Sequence, residues 1–386
     1  MREALRLAEK GAGRTSPNPA VGAHLVKDGR IIARGFHKKA GGPHAEAACL
    51  LSLKRKGRAA YSSAKGATMY VTLEPCCHYG RTPPCTEAII SAGVKTVVVG
   101  AYDPNPIVAG KGISRLKAAG IKVVAVVREK ECRALNVAYE KYITTGLPYV
   151  TLKLASSLDG RIAANGGDSK WITGEASRRR VHLMRSRADA VLVGSATASA
   201  DDPELTTRLV KGLNPARVLI DTSFQTPLSA KMFKHNALDR GRPMVFTTSA
   251  ASEAKIKKAG RLGIDVLIAP LMRGRVGLSD MLKALGQRGI TSLLVEGGGA
   301  VAASFLNDKK VDAIALFFAP IVLGAEGIPS VAYLGIKKVR EAIRFKDMKA
   351  SMIGKDLLVE AKPDISSSPP LFFKGEEKEG FRVRGT

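Results

Sequence analysis

The sequence predicts an α/β protein built as two domains, and three observations lead there. The chain has 386 residues, more than one ordinary core serves, and 45% of them are hydrophobic, enough for two cores. Short apolar runs of strand length alternate with longer stretches of helical character, the pattern of a largely parallel sheet covered by helices. One helical stretch ends in Thr144-Thr145-Gly146-Leu147-Pro148 and an apolar strand starts at once. That places a first domain over 1–145 and a second over 146–363, with a polar, Pro- and Ser-containing tail over 364–386.

Composition excludes several classes. No apolar run approaches the roughly 20 residues that a membrane span requires. The first ten residues mix charges through a helical pattern where a secretion signal has an unbroken apolar stretch. A cytoplasmic protein with no membrane partner is expected. Five cysteines, three of them between 76 and 85, do not form a disulfide framework. In a reducing compartment they read as metal ligands, with Cys49 and Cys132 as buried thiols. A net charge of +27 favours polyanions, yet the basic residues are spread along the whole chain. Clusters such as Lys54-Arg55-Lys56 and Arg178-Arg179-Arg180 are short and carry no interleaved aromatics. The expectation is a solvated basic surface that attracts phosphorylated small molecules and does not bind nucleic acid.

Taken in order, an opening helix leads to the breaker-rich Thr15-Ser16-Pro17-Asn18-Pro19-Ala20-Val21-Gly22. A hairpin follows, with strands over 21–26 and 31–35 around Asp28-Gly29, a strong signal for a primed turn. Gly41-Gly42-Pro43 stops the chain, and a helix opens at His44. A strand over 67–73 delivers Glu74-Pro75-Cys76, and Thr82-Pro83-Pro84 reads as the cap and first turn of a helix to Ser91. Cys85 falls in that first turn, where a helix N-terminus favours the thiolate. Strands over 96–99 and 122–127, with helices between, complete the first sheet.

The chemistry centres on His44-Ala45-Glu46 and, thirty residues on, Glu74-Pro75-Cys76-Cys77-His78-Tyr79-Gly80-Arg81-Thr82-Pro83-Pro84-Cys85. One imidazole and two thiolates hold Zn²⁺ with a position left open for water. The zinc-deaminase pattern is H-x-E followed by P-C-x-x-C, its Glu a general acid/base and not a ligand. This chain departs from that pattern, because Tyr79 stands at the second Cys and the next candidate is Cys85, beyond a longer insert. A structural zinc site closed by His78 or Cys77 is the alternative, but such a site has no use for Glu46. His44 and Glu46 are two residues apart and converge only at the N-terminal end of their helix.

The second domain opens with an apolar strand from Tyr149 into Ser156-Ser157-Leu158-Asp159-Gly160, then Ser169-Lys170-Trp171-Ile172-Thr173-Gly174, a basic helix to about Arg187 and the strand over 190–194. Strands are expected over 217–220, 244–247, 265–268 and 292–295. The last feeds Glu296-Gly297-Gly298-Gly299, where backbone N–H groups and a helix N-terminus suit a phosphate. No G-x-G-x-x-G opens a βαβ unit, which disfavours a conventional Rossmann dehydrogenase. Residues 311–320 suit a buried strand, and 357–361 is expected to close the sheet.

Both halves resemble the bifunctional pyrimidine deaminase/reductase family of riboflavin biosynthesis. The resemblance implies a cytidine-deaminase-like three-layer domain followed by a dihydrofolate-reductase-like domain. It implies Zn²⁺ on His44, Cys76 and Cys85, Glu46 as the proton shuttle, and Asn18 holding the base, although Asn18 also reads as a turn residue. In the second domain it implies NADPH on Ala155, Trp171, Thr197, Asp201 and the turn Gly298, Gly299, Ala300, Val301, Ala302, Ala303 and Ser304. Substrate contacts carried over are Ser169, Arg185, Leu205, Arg208 and Glu296. A guanidinium fork suits phosphate, while a surface charge is the other reading of either arginine, and core the other reading of Trp171. The implied activity is deamination of 2,5-diamino-6-(5-phosphoribosylamino)-4-pyrimidinone, followed by NADPH-dependent reduction of the ribosyl group to ribityl. Domains of this kind often associate, so a homo-oligomer is expected. The rivals are a nucleic-acid base deaminase, which leaves the second domain unexplained, and a non-catalytic zinc- and nucleotide-binding protein.

Overall fold

The computed structural model describes residues 1–79 and 83–364, so the tail expected over 364–386 lies outside the described residues from 365 onward. The chain divides into two compact units, Met1–Leu147 and Pro148–Thr386. Among the described residues, no helix is long and apolar enough to cross a membrane.

The first unit runs α1 (Arg2–Glu9), β1 (Gly22–Lys27), β2 (Arg30–Phe36), α2 (Ala45–Lys54), α3 (Arg58–Ser62), β3 (Thr68–Leu73), α4 (Cys85–Ser91), β4 (Thr96–Ala101), α5 (Lys111–Ala118), β5 (Lys122–Val124), α6 (Glu129–Leu135) and α7 (Val137–Thr145). Its sheet has the order β2-β1-β3-β4-β5, antiparallel from β2 through β3 and parallel from β3 to β5. Asp28 and Gly29 have φ of 49° and 74°, the left-handed pair that a primed turn needs. Consecutive residues of β1 and β4 are buried, so both faces of the sheet are covered, which gives three layers. Leu25, Met69, Val71, Val97 and Val99 pack with Leu50, Leu53, Ile89 and Leu116 in one core. A Cβ on Gly35 would lie 2.3 Å from the Cys49 nitrogen and 2.4 Å from the Ala45 carbonyl. Glycine at that point lets α2 lie directly on β2.

The second unit runs β6 (Tyr149–Ser157), β7 (Arg161–Ala163), α8 (Glu175–Arg187), β8 (Ala190–Gly194), α9 (Ser195–Asp201), β9 (Ala216–Ile220), β10 (Met244–Thr247), α10 (Glu253–Arg261) and β11 (Asp265–Ile268). It continues with β12 (Leu271–Met272), β13 (Arg275–Val276), α11 (Leu278–Gln287), β14 (Ser292–Val295), α12 (Gly299–Asn307), β15 (Ala313–Ala319), β16 (Ile328–Pro329), β17 (Phe345–Ile353) and β18 (Asp356–Pro363). The large sheet has the order β11-β10-β9-β8-β14-β6-β15-β18-β17 and is parallel from β11 through β15. β8 is buried along its whole length, as a central parallel strand must be.

Three expectations on element placement are corrected. The strand expected over 357–361 does not close the sheet, because β17 pairs antiparallel with β18 and forms the edge. β17 is exposed along most of its length, its alternating Met348, Ala350 and Met352 included, so no buried face announces it; the turn at Gly354, with φ of 65°, folds it onto β18. The strand expected to reach residue 127 ends at Val124, and Val126 and Arg128 have left-handed φ of 65° and 62°. Pro83-Pro84 does not form the first turn of α4, since Pro84 is extended and caps a helix that starts at Cys85. A proline holds the residue before it away from helical geometry. Thr82 lies outside the described residues.

Candidate active sites

The first cluster gathers at three element ends. His44 is the N-cap of α2, with extended ψ of 164°, and Glu46 is the second helical residue, so both face the same end as the i, i+2 spacing required. β3 delivers Cys76 and α4 begins with Cys85. His44 Nδ1 lies 3.5 Å from Cys76 Sγ and 3.4 Å from Cys85 Sγ. The three ligand atoms all lie within 4.8 Å of one another. Zinc–sulfur bonds of about 2.3 Å and a zinc–nitrogen bond of about 2.0–2.1 Å at a tetrahedral angle put S and N about 3.5 Å apart. The donor set therefore fits zinc. Among the described residues neither Cys77 nor the exposed His78 joins the cluster, so a closed four-ligand site is not assembled.

Electrostatics divides the labour within the cluster. The Cys85 hydrogen bond, with help from His44, holds the Cys76 thiol down at about 4. The same bond, with burial, pushes the Cys85 thiol up when no metal is bound to the pair. The Cys85 N–H at the start of α4 also donates to Cys76 Sγ at 3.4 Å, so the helix end stabilises charge on Cys76. The Cys76 hydrogen bond raises the His44 imidazole. Glu46 is 3% exposed; burial first, then the Cys76 charge, raise it to about 7. A carboxyl that titrates near neutrality is suited to taking and returning a proton.

Asn18 reaches this cluster through a residue that the sequence did not single out. His37 is buried, and its Nδ1 lies 3.0 Å from the Pro43 carbonyl, so Nδ1 carries the proton. Its Nε2, 3.4 Å from Asn18 Nδ2, then accepts from the Asn18 amide. Burial lowers His37 below the usual histidine range, which keeps it neutral and preserves this polarity. The His37 and His44 rings meet edge to face at 5.4 Å.

The second cluster lies at the C-terminal ends of three adjacent parallel strands, β8, β14 and β6, where open α/β sheets take their ligands. Thr197 follows β8, and its Oγ1 accepts from the Gly298 N–H at 3.0 Å, joining the two strand ends. A Cβ on Gly299 would lie 2.6 Å from the Pro329 carbonyl, so only glycine allows the backbone through. Ala155 is half-buried at the end of β6. Arg185 of α8 grips Glu296 with Nε and Nη2 at 2.6 and 3.0 Å, while its Nη1 reaches the Thr206 carbonyl at 3.2 Å. Arg185 is thus no surface charge, and its bidentate edge is engaged by Glu296. Lys153 Nζ stands 3.6 Å from Glu296.

The remaining sequence-predicted residues fall in several settings. Trp171 is 67% exposed, so it is not core; the Arg178 guanidinium stacks 4.6 Å from its ring centroid. Ser169 is half-buried, and Asp201 is exposed at the last turn of α9. Leu205 has its side chain in the core and a left-handed φ of 57°, so it offers its backbone. Arg208 is exposed, with Nη1 3.2 Å from Glu204. In α12, Ala302 and Ala303 are buried, whereas Ala300, Val301 and Ser304 are accessible, and Arg275 donates to Ser304 Oγ at 2.6 Å.

Lys153 and His182 were missed as well. Lys153 sits in β6 between the buried Leu152 and Leu154, and a lysine in that position was the available signal. Burial lowers its ammonium below the ordinary lysine range. His182 of α8 is buried; burial and then Arg185 and Arg208 lower it to about 4, and its Nδ1 accepts from the Leu209 N–H at 3.5 Å.

Residues 148–359 match the family described as RibD C-terminal domain. Residues 1–101 match that described as cytidine and deoxycytidylate deaminase zinc-binding region. The riboflavin biosynthesis protein RibD of Aquifex aeolicus is 45% identical over 360 residues, which covers 93% of this chain and 96% of that protein. A solved diaminohydroxyphosphoribosylaminopyrimidine deaminase/5-amino-6-(5-phosphoribosylamino)uracil reductase of Thermotoga maritima superposes with a TM-score of 0.83 at 40% identity, covering 94% of this chain and 97% of that one. Acinetobacter baumannii RibD superposes with a TM-score of 0.82 at 38% identity and the same two coverages.

Proposed function

Because this chain belongs to the RibD family, enzymes of riboflavin biosynthesis that join a zinc-binding deaminase to a reductase, we propose that its two reactions run at the two clusters described above. The deaminase occupies 1–145 and the reductase 146–363. The first takes 2,5-diamino-6-(5-phosphoribosylamino)-4-pyrimidinone, and the second reduces the ribosyl group of the deaminated product to ribityl, giving 5-amino-6-(5-phosphoribitylamino)uracil. The protein works in the cytoplasm as a homo-oligomer.

The observation that carries the deaminase reading is the convergence of His44 Nδ1, Cys76 Sγ and Cys85 Sγ within 4.8 Å, with the Glu46 carboxyl buried beside them. These three side chains would hold the metal, and zinc there would supply a water acidic enough to ionise near neutral pH. A carboxyl oxygen of Glu46 accepts the proton of the attacking water and returns it to the departing amino group, so ammonia leaves and a ring carbonyl remains. The amide of Asn18 is oriented by His37, which takes its Nδ2 and leaves Oδ1 to accept from the pyrimidine.

In the second unit NADPH, when bound, would supply the hydride that reduces the anomeric carbon of the sugar. Thr197, the Gly298–Gly299 turn, Ala300, Val301 and Ser304, with Ala155, Asp201 and Trp171, would hold it; Ala302 and Ala303 support the turn from the core. Glu296 and Lys153 flank the sugar, and Lys153 Nζ hands a proton to the ring oxygen as the ring opens. Ser169, Arg208 and the Leu205 backbone hold the phosphorylated chain, and Arg185 fixes the Glu296 carboxylate beside it.

Glu46→Gln tests the deaminase assignment. The variant should keep its zinc and its reduction of already deaminated substrate, while ammonia release falls by 10²–10⁴-fold, the usual worth of a positioned proton shuttle. Deamination within threefold of the parent would refute the role of Glu46.

A further inference from the structure

Glu74 stands two residues before Cys76 and is 3% exposed. Its carboxylate accepts three backbone N–H groups from one segment: Asp103 at 3.3 Å and Gly110 at 2.9 Å on Oε2, and Ile113 at 3.1 Å on Oε1. Those donors bracket the whole connection between β4 and the first turn of α5. The approach is closer still at Gly112, where a Cβ would lie 2.0 Å from the Pro75 carbonyl and 3.2 Å from Glu74 itself. The segment is thus held against the strand end that carries Cys76. Within it, Asp103 is 7% exposed, its Oδ1 accepts the Tyr139 hydroxyl at 3.0 Å, and the Asn105 N–H donates to it at 2.9 Å.

A carboxylate that is buried and binds three amides and, among the described residues, no cation is more than filling, because an apolar residue there would leave no charge to desolvate. What it does here is fix loop backbone relative to the metal ligands. We infer that Glu74 is a positioning residue for the deaminase: it clamps residues 103–113 against the strand end that carries Cys76 and so sets substrate affinity, without holding the metal or moving a proton. This rests on the deaminase reading of the first cluster.

The test uses the full, zinc-loaded chain and two variants. Glu74→Gln replaces one acceptor oxygen with a donor facing N–H groups; Glu74→Asp keeps the charge but shortens the reach. Ammonia release from the diaminopyrimidine phosphate should show KM raised at least tenfold in Glu74→Gln, kcat within threefold, and a smaller KM rise in Glu74→Asp. Zinc content and reduction of deaminated substrate should match the parent. Amide exchange at Asp103, Gly110 and Ile113 should quicken at least tenfold while the amides of β3 stay protected. Unchanged KM, or loss of zinc in parallel with activity, would overturn the inference. If Glu74→Gln does not fold, Glu74→Asp decides by the same KM and zinc criteria. If the parent itself releases no ammonia, the functional reading fails, and the exchange experiment alone decides whether Glu74 clamps the segment.

Discussion

Replacing Arg185 by Met probes the charge balance at the reductase cluster. The Arg185 and Glu296 side chains are 13% and 7% exposed, and two N–H···O contacts at 2.6 and 3.0 Å join them. Removing one partner of a buried pair leaves an uncompensated charge and costs about 3–5 kcal/mol. Lys153 remains 3.6 Å from Glu296, so the low end applies, about 3 kcal/mol. For a unit of this size that lowers the unfolding transition by roughly 6–12 °C. Calorimetry on the full chain reads it directly, and on the proposed function the reductase transition is the one that NADPH should raise. Replacing Arg185 and Glu296 together by Met should cost much less than the two single changes summed, since no charge is then stranded. A shift below about 1 kcal/mol for Arg185→Met, the size expected of an exposed pair, would refute this reasoning. So would strict additivity in the double variant.

Acid should act on the same cluster. Burial alone would raise Glu296, but Arg185 and Lys153 outweigh it and hold the carboxyl at about 2, against an ordinary 4.5. A depressed carboxyl contributes stability that is complete above about pH 4.5 and is lost as pH falls toward 2, here about 3 kcal/mol. Lys153, lowered from the ordinary lysine range, weighs equally at every pH in that window and does not alter it. Denaturant titrations of the reductase unit at pH 6 and pH 3 should differ in this direction; equal stability would contradict it. Trp171 is the only tryptophan in the chain and is exposed beside Arg178, so NADPH should quench the protein's fluorescence with saturation at one cofactor per chain. An unquenched signal in a sample shown to bind NADPH by calorimetry would remove Trp171 from the cofactor site.

Local chemistry made much of this legible. The Asp28-Gly29 turn, the N-cap placement of His44 and Glu46, and the buried strand at Ala190–Gly194 follow from patterns a few residues long, and the structure has them. β17 was not legible, because an exposed edge strand is specified by its pairing with β18 and not by a buried face. Position within a helix also escaped: the Gly298–Ser304 turn reads as one motif, yet the helical repeat buries Ala302 and Ala303. The partners that need long-range contact were invisible in the same way. Glu74 gains meaning only when residues 103–113 fold back on it, His37 only when Asn18 arrives, and Lys153 only when β14 brings Glu296 alongside.

The most direct test of the two-site account measures ammonia release and NADPH oxidation together, on zinc-loaded protein given the diaminopyrimidine phosphate. Ammonia should appear with or without NADPH, and NADPH should be consumed only after deamination, one per ammonia released. NADPH oxidation that precedes ammonia, or a folded and metal-loaded protein that releases none, would contradict the account.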